Sequence, residues 1–296
     1  MKTKKLRELL KSEEVIRVIG AHNGLSAKLA EQAGFDAVWA SGLEISATHA
    51  VPDANILTMT ENLQTAIVMN QSTSIPIICD CDSGYGSVNN VIRMVKEYER
   101  NGIAGICIED KQFPKINSFV NSTQKLSPID EFASKIRAAK DTQQDPDFVL
   151  IARVEALIAG QSMEEAIKRA SAYKDAGADA ILIHSKMNEI DEIREFVELY
   201  KGSIPIVVVP TTYPNIGVND LKNIGISMVI YANHGLRSSI SAMEKTFSRI
   251  IKDGTTAGIE SNISSMHKVF ELQGMFEMRQ LEDKYNDSNL KGGENV

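Results

Sequence analysis

The sequence predicts a (β/α)8 TIM-type barrel that is followed by an additional C-terminal helical segment. Short β-rich apolar runs alternate with longer stretches of helical periodicity as far as residue 253. Eight such units in one chain of 296 residues favour a closed barrel over an open sheet. No linker rich in Pro, Gly or Ser divides the chain. We therefore expect one catalytic barrel over residues 1–253.

The opening stretch, "MKTKKLRELLKSEE", lacks the apolar core of a secretory signal and is typical of an amphipathic helix that precedes the first strand. The helical stretches between strands often end at glycine, as in "EQAG", "YERNG" and "KDAG", which predicts left-handed helix stops. The predicted strands are Arg17–Gly20, Ala37–Ala40, Ile75–Cys81, Gly105–Glu109, Phe148–Arg153, Ala180–His184, Pro205–Val209 and Met228–Tyr231.

The segment 254–288 is surplus to the eight units and has the pattern of a helical extension, with Met and Phe at its apolar positions. Such a segment must bury its apolar stripe on the barrel or on a partner subunit. We therefore expect a homo-oligomer, either a dimer or a homotetramer, and leave open that a helix is exchanged between subunits. The tail, residues 289–296, is expected to be disordered.

Composition limits the classes of function. A hydrophobic content of 43%, a net charge of -7 and scattered Lys and Arg predict a globular protein without a nucleic-acid partner. No apolar run is long enough to cross a membrane, so a cytoplasmic location is the default. Cys79, Cys81 and Cys107 are odd in number and lack disulfide or zinc spacing, which predicts reduced, buried thiols.

Polar side chains follow most of the predicted strands, beginning with the stretch "CDCDSGYGS" after the third. In (β/α)8 barrels the chemistry gathers at the C-terminal ends of the strands. Each residue alone could be a salt bridge or a helix cap, but together they indicate one site. The residues at these ends are Trp39, Ser41, Gly42, Leu43, Asp80, Asp82, Glu109, Asp110, Arg153, Glu155 and His184.

Asp80, Asp82 and Glu109 would crowd negative charge into a small volume, where repulsion favours either protonation or a bound divalent cation. Oxygen ligands without His or Cys at ligand spacing suit Mg²⁺, with Mn²⁺ as a substitute, rather than zinc. Arg153 and His184 across the mouth suit a substrate with carboxylate or phosphate oxygens. The sequence therefore predicts a Mg²⁺-dependent site for a small anion.

The stretch "EDKQFPKINSFVNSTQKLSP", residues 109–128, is longer than a strand-to-helix connection needs. Long loops of this kind are often active-site lids, and Lys115, Asn117 and Ser118 would bring a cation and hydrogen-bond donors over a bound anion. A solvated surface loop is the alternative interpretation.

Three motifs, "SGLEIS", "D-x-D-S-G-Y-G" and "EDK-x-F-P-K-x-N-S-F", make the sequence similar to the phosphoenolpyruvate mutase family, within the isocitrate lyase and phosphoenolpyruvate mutase superfamily. The resemblance runs from about Arg17 to the C-terminal helix. Lyases of the superfamily carry a catalytic cysteine in a K-[KR]-C-G-H type loop, whereas "KQFPKINSF" has none, so isocitrate or methylisocitrate cleavage is disfavoured.

The resemblance implies Mg²⁺-dependent interconversion of phosphoenolpyruvate and phosphonopyruvate, which makes the P–C bond in phosphonate biosynthesis. The alternatives are phosphonopyruvate hydrolysis, an unusual carbon–carbon lyase activity, or, from a different class, a non-catalytic barrel that binds an acidic metabolite. A binder would have little use for so many ionisable groups under a lid.

The resemblance also implies roles for the metal and pyruvyl side of the site. Asp80 would coordinate Mg²⁺. The residues implied to hold the waters of the ion are Asp82 and Glu109, with Asp53 as a further candidate. The residues implied to cradle the pyruvyl unit are Ser41, Gly42 and Leu43, with Trp39 as a wall.

On the phosphoryl side, the residues implied to hold the migrating group are Asn117, Arg153 and His184. Lys115 would help close the lid, and the stretch from Lys115 to Ser118, called the lid below, would keep the site dry. Asp53 would either accept the phosphoryl group or orient its neighbours, and we favour the second role.

Overall fold

The computed structural model describes the backbone of residues 1–120 and 123–291, and the side chains of these ranges up to residue 286. The strands are β1 (Ile16–Ala21), β2 (Ala37–Ala40), β3 (Ile77–Asp80), β4 (Gly105–Glu109), β5 (Val149–Val154), β6 (Ala180–Ile183), β7 (Ile206–Val208) and β8 (Met228–Tyr231). They pair in parallel and in chain order, and β8 pairs with β1, so the barrel is closed. The predicted fold class is confirmed, and β2, β4 and β8 have their predicted bounds.

The helices are α1 (Lys2–Leu10), α2 (Gly24–Gln32), α3 (Gly42–Thr48), α4 (Met59–Ser72), α5 (Val88–Arg100), α6 (Ile129–Thr142), α7 (Met163–Asp175), α8 (Asp191–Leu199), α9 (Val218–Asn223), α10 (His234–Asp253), α11 (Met266–Gln273) and α12 (Met275–Lys291). The expected glycine stops occur after α2 and α7, where Gly34 and Gly177 have φ of 87° and 106°. The sequence did not predict α3, which begins where the Ser41 side chain accepts a hydrogen bond from the Glu44 backbone.

Successive residues of a strand point to opposite faces, and this alternation decides which side chains fill the barrel and which reach its mouth. The inner cluster includes Trp39, Ile78, Cys107, Ile151 and Leu182. The residue two positions after each of these belongs to the same face at the C-terminal end of its strand. Those residues are Ser41, Asp80, Glu109, Arg153 and His184.

The opposite end of the barrel is closed by α1. Its Leu6 is fully buried with the inner cluster, and a Cβ placed on Gly105, the first residue of β4, would lie 3.2 Å from its Cδ2. In (β/α)8 barrels the other end, where the strands end in polar residues, is the place for chemistry.

The three cysteines are free and buried, as predicted. Cys79 and Cys81 pack between the strands and the outer helices, whereas Cys107 faces the barrel interior. Burial raises the pKa of each thiol, which is the expected behaviour of structural rather than reactive cysteines. Over the described part of the chain, no helix is both long and apolar enough to cross a bilayer.

The chain divides into two compact units, residues 1–237 and residues from 238 onward. The division falls inside α10. No residue of α10 is buried in the single chain. Its exposed apolar residues recur at helical spacing along one face: Ile240, Met243, Phe247 and Ile251.

The second unit continues with α11 and α12, as expected for a helical extension. A left-handed Gly274 separates the two helices, and the rings of His267 and Phe276 lie 4.9 Å apart. The backbone of α12 extends to Lys291 and so includes the first three residues of the segment 289–296. Residues 292–296 lie outside the described residues.

Candidate active site

A cavity of about 60 Å³ lies at the C-terminal mouth of the barrel. The residues that line it come from all sides of the mouth and from the lid: Trp39, Ser41, Leu43, Asp53, Asp80, Glu109, Lys111, Lys115, Asn117, Ser118, Phe119, Arg153, His184, Val209, Thr211, Ala232 and Asn233. Every residue to which the sequence assigns a role at the metal, the substrate or the lid lines this cavity except Gly42 and Asp82. Of the other predicted strand-end residues, Asp110 and Glu155 do not line it.

Gly42 and Asp82 lie directly beside the cavity. A Cβ built on Gly42 would lie 3.4 Å from Oδ2 of Asp80 and 3.5 Å from Oδ1 of Asp82. The two carboxylates therefore converge on the backbone of Gly42, within van der Waals contact of a Cβ at this position. The structure brings the predicted acidic residues together at the position where the α3 backbone begins.

The local fold of "DCDSGYGS" explains how two carboxylates of one short stretch reach the same place. Asp82 and Tyr85 have φ of 49° and 58°, in the left-handed region that non-glycine residues seldom adopt. This reversal turns the chain back toward the mouth directly after β3. The buried Lys135 of α6 fixes the turn, because its Nζ donates to the Ser83 carbonyl at 2.9 Å.

Burial dominates the electrostatics of the acidic cluster. It raises the pKa of Asp80 to about 7, with Lys115 opposing the shift and the charge of Asp82 adding to it. Burial also raises the pKa of Asp82, again against Lys115. Without a further cation, Asp80 and Asp82 therefore resist being ionised at the same time.

Two carboxylate oxygens of the cluster, Oδ1 of Asp82 and Oε1 of Glu109, have no hydrogen-bond partner. Asp82 Oδ1 lies 3.0 Å from Nζ of Lys115, but the angles do not form a hydrogen bond. Among the side chains of residues 1–120 and 123–286, no three from His, Cys, Asp or Glu enclose a metal by themselves. Mg²⁺ needs no such cage, because it keeps several waters and binds through one or two carboxylates. The residues present therefore fit a partly hydrated divalent cation.

Glu155 is the centre of the opposite, basic side of the mouth. Its carboxylate accepts from Arg153 Nε at 2.5 Å and from Ser118 Oγ at 2.8 Å. Lys111 Nζ lies 3.1 Å away, and His184 Nδ1 lies 2.7 Å away. Burial disfavours the charged form, but Arg153 and the other cationic neighbours outweigh it and hold the pKa of Glu155 well below its usual value. Glu155 therefore orients the groups that face the cavity.

The buried ring of His184 lies between the Glu155 carboxylate and the Arg153 guanidinium. Burial lowers its pKa, although Glu155 acts in the other direction, and the nearby Arg153 guanidinium adds to the lowering. The ring contacts Phe119 of the loop edge to face at 5.8 Å between centroids. Because the Glu155 carboxylate can only accept, His184 Nδ1 donates to it, which fixes the orientation of the ring, while Arg153 supplies positive charge beside the cavity.

The lid is fixed on two sides of the mouth. On one side, Asp53 accepts from Lys115 Nζ at 2.6 Å and from Asn117 Nδ2 at 2.6 Å. On the other side, Ser118 Oγ contacts Lys111 at 2.6 Å besides donating to Glu155. Burial favours a neutral Lys115, but the surrounding carboxylates, led by Asp82, hold its pKa well above the usual value. The lid thus brings a cation to the acidic cluster.

Sequence reasoning missed several residues of the cavity: Lys111, Phe119, Val209, Thr211, Ala232 and Asn233. Lys111 and Phe119 stand within the quoted "EDK-x-F-P-K-x-N-S-F" motif, so the signal was present. The inward alternation of β7 and β8 would have indicated Val209 and Ala232. Thr211 and Asn233 lie beyond strand ends and carried no comparable signal.

Fold and site together define a (β/α)8-barrel enzyme with an acidic, lid-covered mouth. A family model described as Phosphoenolpyruvate phosphomutase matches residues 6–251. The phosphoenolpyruvate phosphomutase of Tetrahymena pyriformis is 46% identical, covering 96% of this chain and 95% of that protein. The chain belongs to the phosphoenolpyruvate phosphomutase family, which confirms the resemblance in its motifs.

Two solved structures extend the comparison. The crystal structure of phosphoenolpyruvate phosphomutase from Streptomyces platensis subsp. rosaceus has a TM-score of 0.95 and 50% identity, covering 96% of this chain and 99% of that one. A phosphonopyruvate hydrolase in complex with oxalate and Mg²⁺ has a TM-score of 0.92 and 45% identity, with the same coverage. Mutase and hydrolase relatives are therefore similarly close to this chain.

The buried pairing of Glu155 predicts a large loss of stability in Glu155→Gln. Removing its charge leaves Arg153 and Lys111 buried without their main partner, which costs about 3–5 kcal/mol. Urea denaturation at neutral pH measures the free energy of unfolding. Glu97→Gln is the matched control, because Glu97 pairs with exposed arginines of α5 and should lose about 1 kcal/mol or less. Equal losses in the two variants would contradict the assigned role of Glu155.

Proposed function

We propose that the protein is a Mg²⁺-dependent phosphoenolpyruvate mutase, which interconverts phosphoenolpyruvate and phosphonopyruvate and so makes the carbon–phosphorus bond of phosphonate biosynthesis. The observation that carries this proposal is the convergence, around one small cavity, of an acidic cluster, a basic cluster and a lid. A small substrate with a carboxylate at one end and a phosphoryl group at the other matches this division of charge.

The reaction is an isomerisation, and its balance needs no other reactant. The P–O bond breaks with its electron pair going to the enolate oxygen, and the C3 carbon of the enolate then attacks phosphorus to form the C–P bond. The two separated fragments, an enolate and a metaphosphate-like group, carry charge that preorganised donors can stabilise. No proton donor is required.

On the pyruvyl side, Ser41, Gly42 and Leu43 cradle the substrate through a hydroxyl and backbone N–H groups at the start of α3, with Trp39 as a wall. Asp80 would hold Mg²⁺, and Asp82 and Glu109 would hold its waters, with Mn²⁺ as a substitute. The bound cation supplies positive charge for the carboxylate and enolate oxygens. The oxygens of Asp82 and Glu109 that accept no hydrogen bond support this assignment.

On the phosphoryl side, the groups that hold the migrating fragment are Asn117, Arg153 and His184. Arg153 provides positive charge, and Glu155 holds both Arg153 and His184 in position. Lys115 and Ser118 keep the lid against the mouth, so that water does not reach the fragment.

Asp53 acts as an orienting carboxylate rather than as a phosphoryl acceptor. Each of its oxygens already accepts a short hydrogen bond, one from Lys115 and one from Asn117. The positively charged partner outweighs burial and holds the pKa of Asp53 below its usual value. A carboxylate engaged in this way is a weak nucleophile, but it fixes two lid residues over the substrate.

Phosphorus NMR with phosphonopyruvate and Mg²⁺ tests the function directly. We expect phosphoenolpyruvate to appear. Inorganic phosphate alone would instead support a phosphonopyruvate hydrolase, the activity named for a relative of 45% identity. Products of carbon–carbon cleavage from a larger acid would support a lyase, and binding without any turnover would support a metabolite-binding barrel.

Two substitutions test the assigned residues in the same assay. Asn117→Ala and Asp80→Ala should each abolish conversion while the circular dichroism spectrum stays unchanged. The first removes a hydrogen-bond donor to the phosphoryl group, and the second removes a ligand of the cation. Gln112→Ala is the control, since Gln112 is exposed at the base of the same loop. A near-normal rate in either site variant would refute its assignment.

Mg²⁺ binding should be visible without substrate. A cation that neutralises the acidic cluster binds only the folded protein, so the melting temperature should rise by about 4 °C at a hundredfold excess over Kd. Asp80→Asn should abolish this rise without lowering the metal-free melting temperature. Asp36→Asn, at a partly exposed salt bridge with Arg17, should keep the full rise. If Mg²⁺ raises the melting temperature of Asp80→Asn as much as that of the wild type, the proposed metal site is wrong.

The predicted homo-oligomer is also part of the proposal. It is supported by the apolar face of α10, where Phe247 and Ile251 are 60% and 86% exposed in the single chain. Sedimentation should give a multiple of the chain mass of 32.5 kDa. Phe247→Glu should reduce that mass, whereas Lys245→Glu on the opposite face of α10 should not. A wild-type protein that sediments as a monomer would contradict this part of the proposal.

A further inference from the structure

Asn55 occupies a special position between the lid and the acidic cluster. It lies in the loop between α3 and α4, two residues after Asp53, and it does not line the active-site cavity. Its side-chain oxygen accepts from the backbone N–H of Lys115 at 2.5 Å. Its side-chain nitrogen donates to Oδ2 of Asp82 at 2.6 Å. One amide group therefore joins the lid backbone to a carboxylate of the cluster.

The chemistry of these two partners requires an amide. A backbone N–H can only donate and an ionised carboxylate can only accept, so the orientation of the Asn55 side chain is fixed by its neighbours. Aspartate would keep the acceptor for Lys115 but place a second negative charge against Asp82. Alanine or glycine would offer neither bond.

The backbone of Asn55 also suits its residue type. Its φ is 56°, in the left-handed region where asparagine and glycine are better tolerated than other residues. Substitution by glycine therefore removes the side chain without straining the loop, which makes Asn55→Gly a cleaner test than Asn55→Ala.

This connection is independent of the other lid contacts. Asp53 holds the side chains of Lys115 and Asn117, and Glu155 holds Ser118, but Asn55 holds the lid by its main chain. A main-chain bond restrains the lid whichever way its side chains turn.

We propose that Asn55 is a positioning residue that keeps the lid closed by joining the backbone of Lys115 to Asp82. It touches no reacting atom, and it acts by lowering the frequency with which the lid opens to water. The consequence for product choice rests on the proposed mutase function, whereas the consequence for lid opening does not.

Hydrogen exchange of the peptide covering residues 111–120 measures lid opening in the full chain. In Asn55→Gly we expect exchange about tenfold faster than in the wild type, because the lid loses the bond that holds its backbone. Ala54→Gly is the matched control, since it adds the same flexibility to the same loop without removing a side-chain hydrogen bond, and its exchange should stay at the wild-type rate. Unchanged exchange in Asn55→Gly would overturn the proposal.

Asn55→Asp separates the two bonds. It should also speed exchange, because its carboxylate repels Asp82 although it can still accept from Lys115. Wild-type exchange in this variant would show that the link to Asp82 does not restrain the lid and would overturn that half of the proposal.

Phosphorus NMR with phosphonopyruvate and Mg²⁺ then tests the consequence for product choice. Asn55→Gly should release a larger share of inorganic phosphate relative to phosphoenolpyruvate than Ala54→Gly does. A general loss of stability would lower both products together, so an unchanged share with faster exchange would refute the role in excluding water. If the wild type converts nothing, the mutase proposal fails, and the exchange measurements still decide the role of Asn55.

Discussion

The crowding of negative charge at the barrel mouth is the constraint around which the rest of the site is arranged. Asp80, Asp82 and Glu109 are brought together at the mouth, where burial disfavours the charged forms of Asp80 and Asp82. Lys115 and Arg153 offset part of this cost, but two carboxylate oxygens remain without hydrogen bonds. The acidic cluster therefore keeps an excess of negative charge that a divalent cation is suited to neutralise.

The lid takes part in this charge balance rather than merely covering it. Lys115 belongs to the lid, and its ammonium group lies 3.0 Å from Asp82 and 2.6 Å from Asp53. Opening the lid would withdraw a positive charge from the acidic cluster, so closure and charge neutralisation favour each other. On the basic side, Ser118 of the same lid contacts Glu155. A closed lid therefore joins both halves of the site and excludes water from the space between them.

The sequence predicted the barrel and much of the candidate site because both depend on short-range patterns, namely the alternation of side chains along strands and the periodicity of helices. Strand alternation alone places Asp80, Glu109, Arg153 and His184 at the mouth once the strand ends are known. Asp110 follows Glu109 directly, so the same alternation points its side chain away from the mouth. Its Oδ2 accepts from Arg169 Nη1 at 2.9 Å and from the Tyr173 hydroxyl at 2.7 Å. Asp110 thus supports the scaffold rather than the cavity.

What the sequence could not reveal are contacts between distant parts of the chain. Asn55 lies 60 residues from Lys115 and 27 residues from Asp82, and no local pattern encodes either bond. The role of Glu155 likewise depends on three loops meeting in space. The short helix α3 was missed because its start, at Ser41, was interpreted only as a substrate cradle.

Anomalous diffraction from crystals grown with Mn²⁺ tests the central claim most directly, since it locates the cation without reference to activity. We expect a strong anomalous peak at the barrel mouth, from a Mn²⁺ ion bound by Asp80 and connected through water to Asp82 or Glu109. A fully occupied Mn²⁺ elsewhere, with the carboxylates of the mouth left uncoordinated, would contradict it.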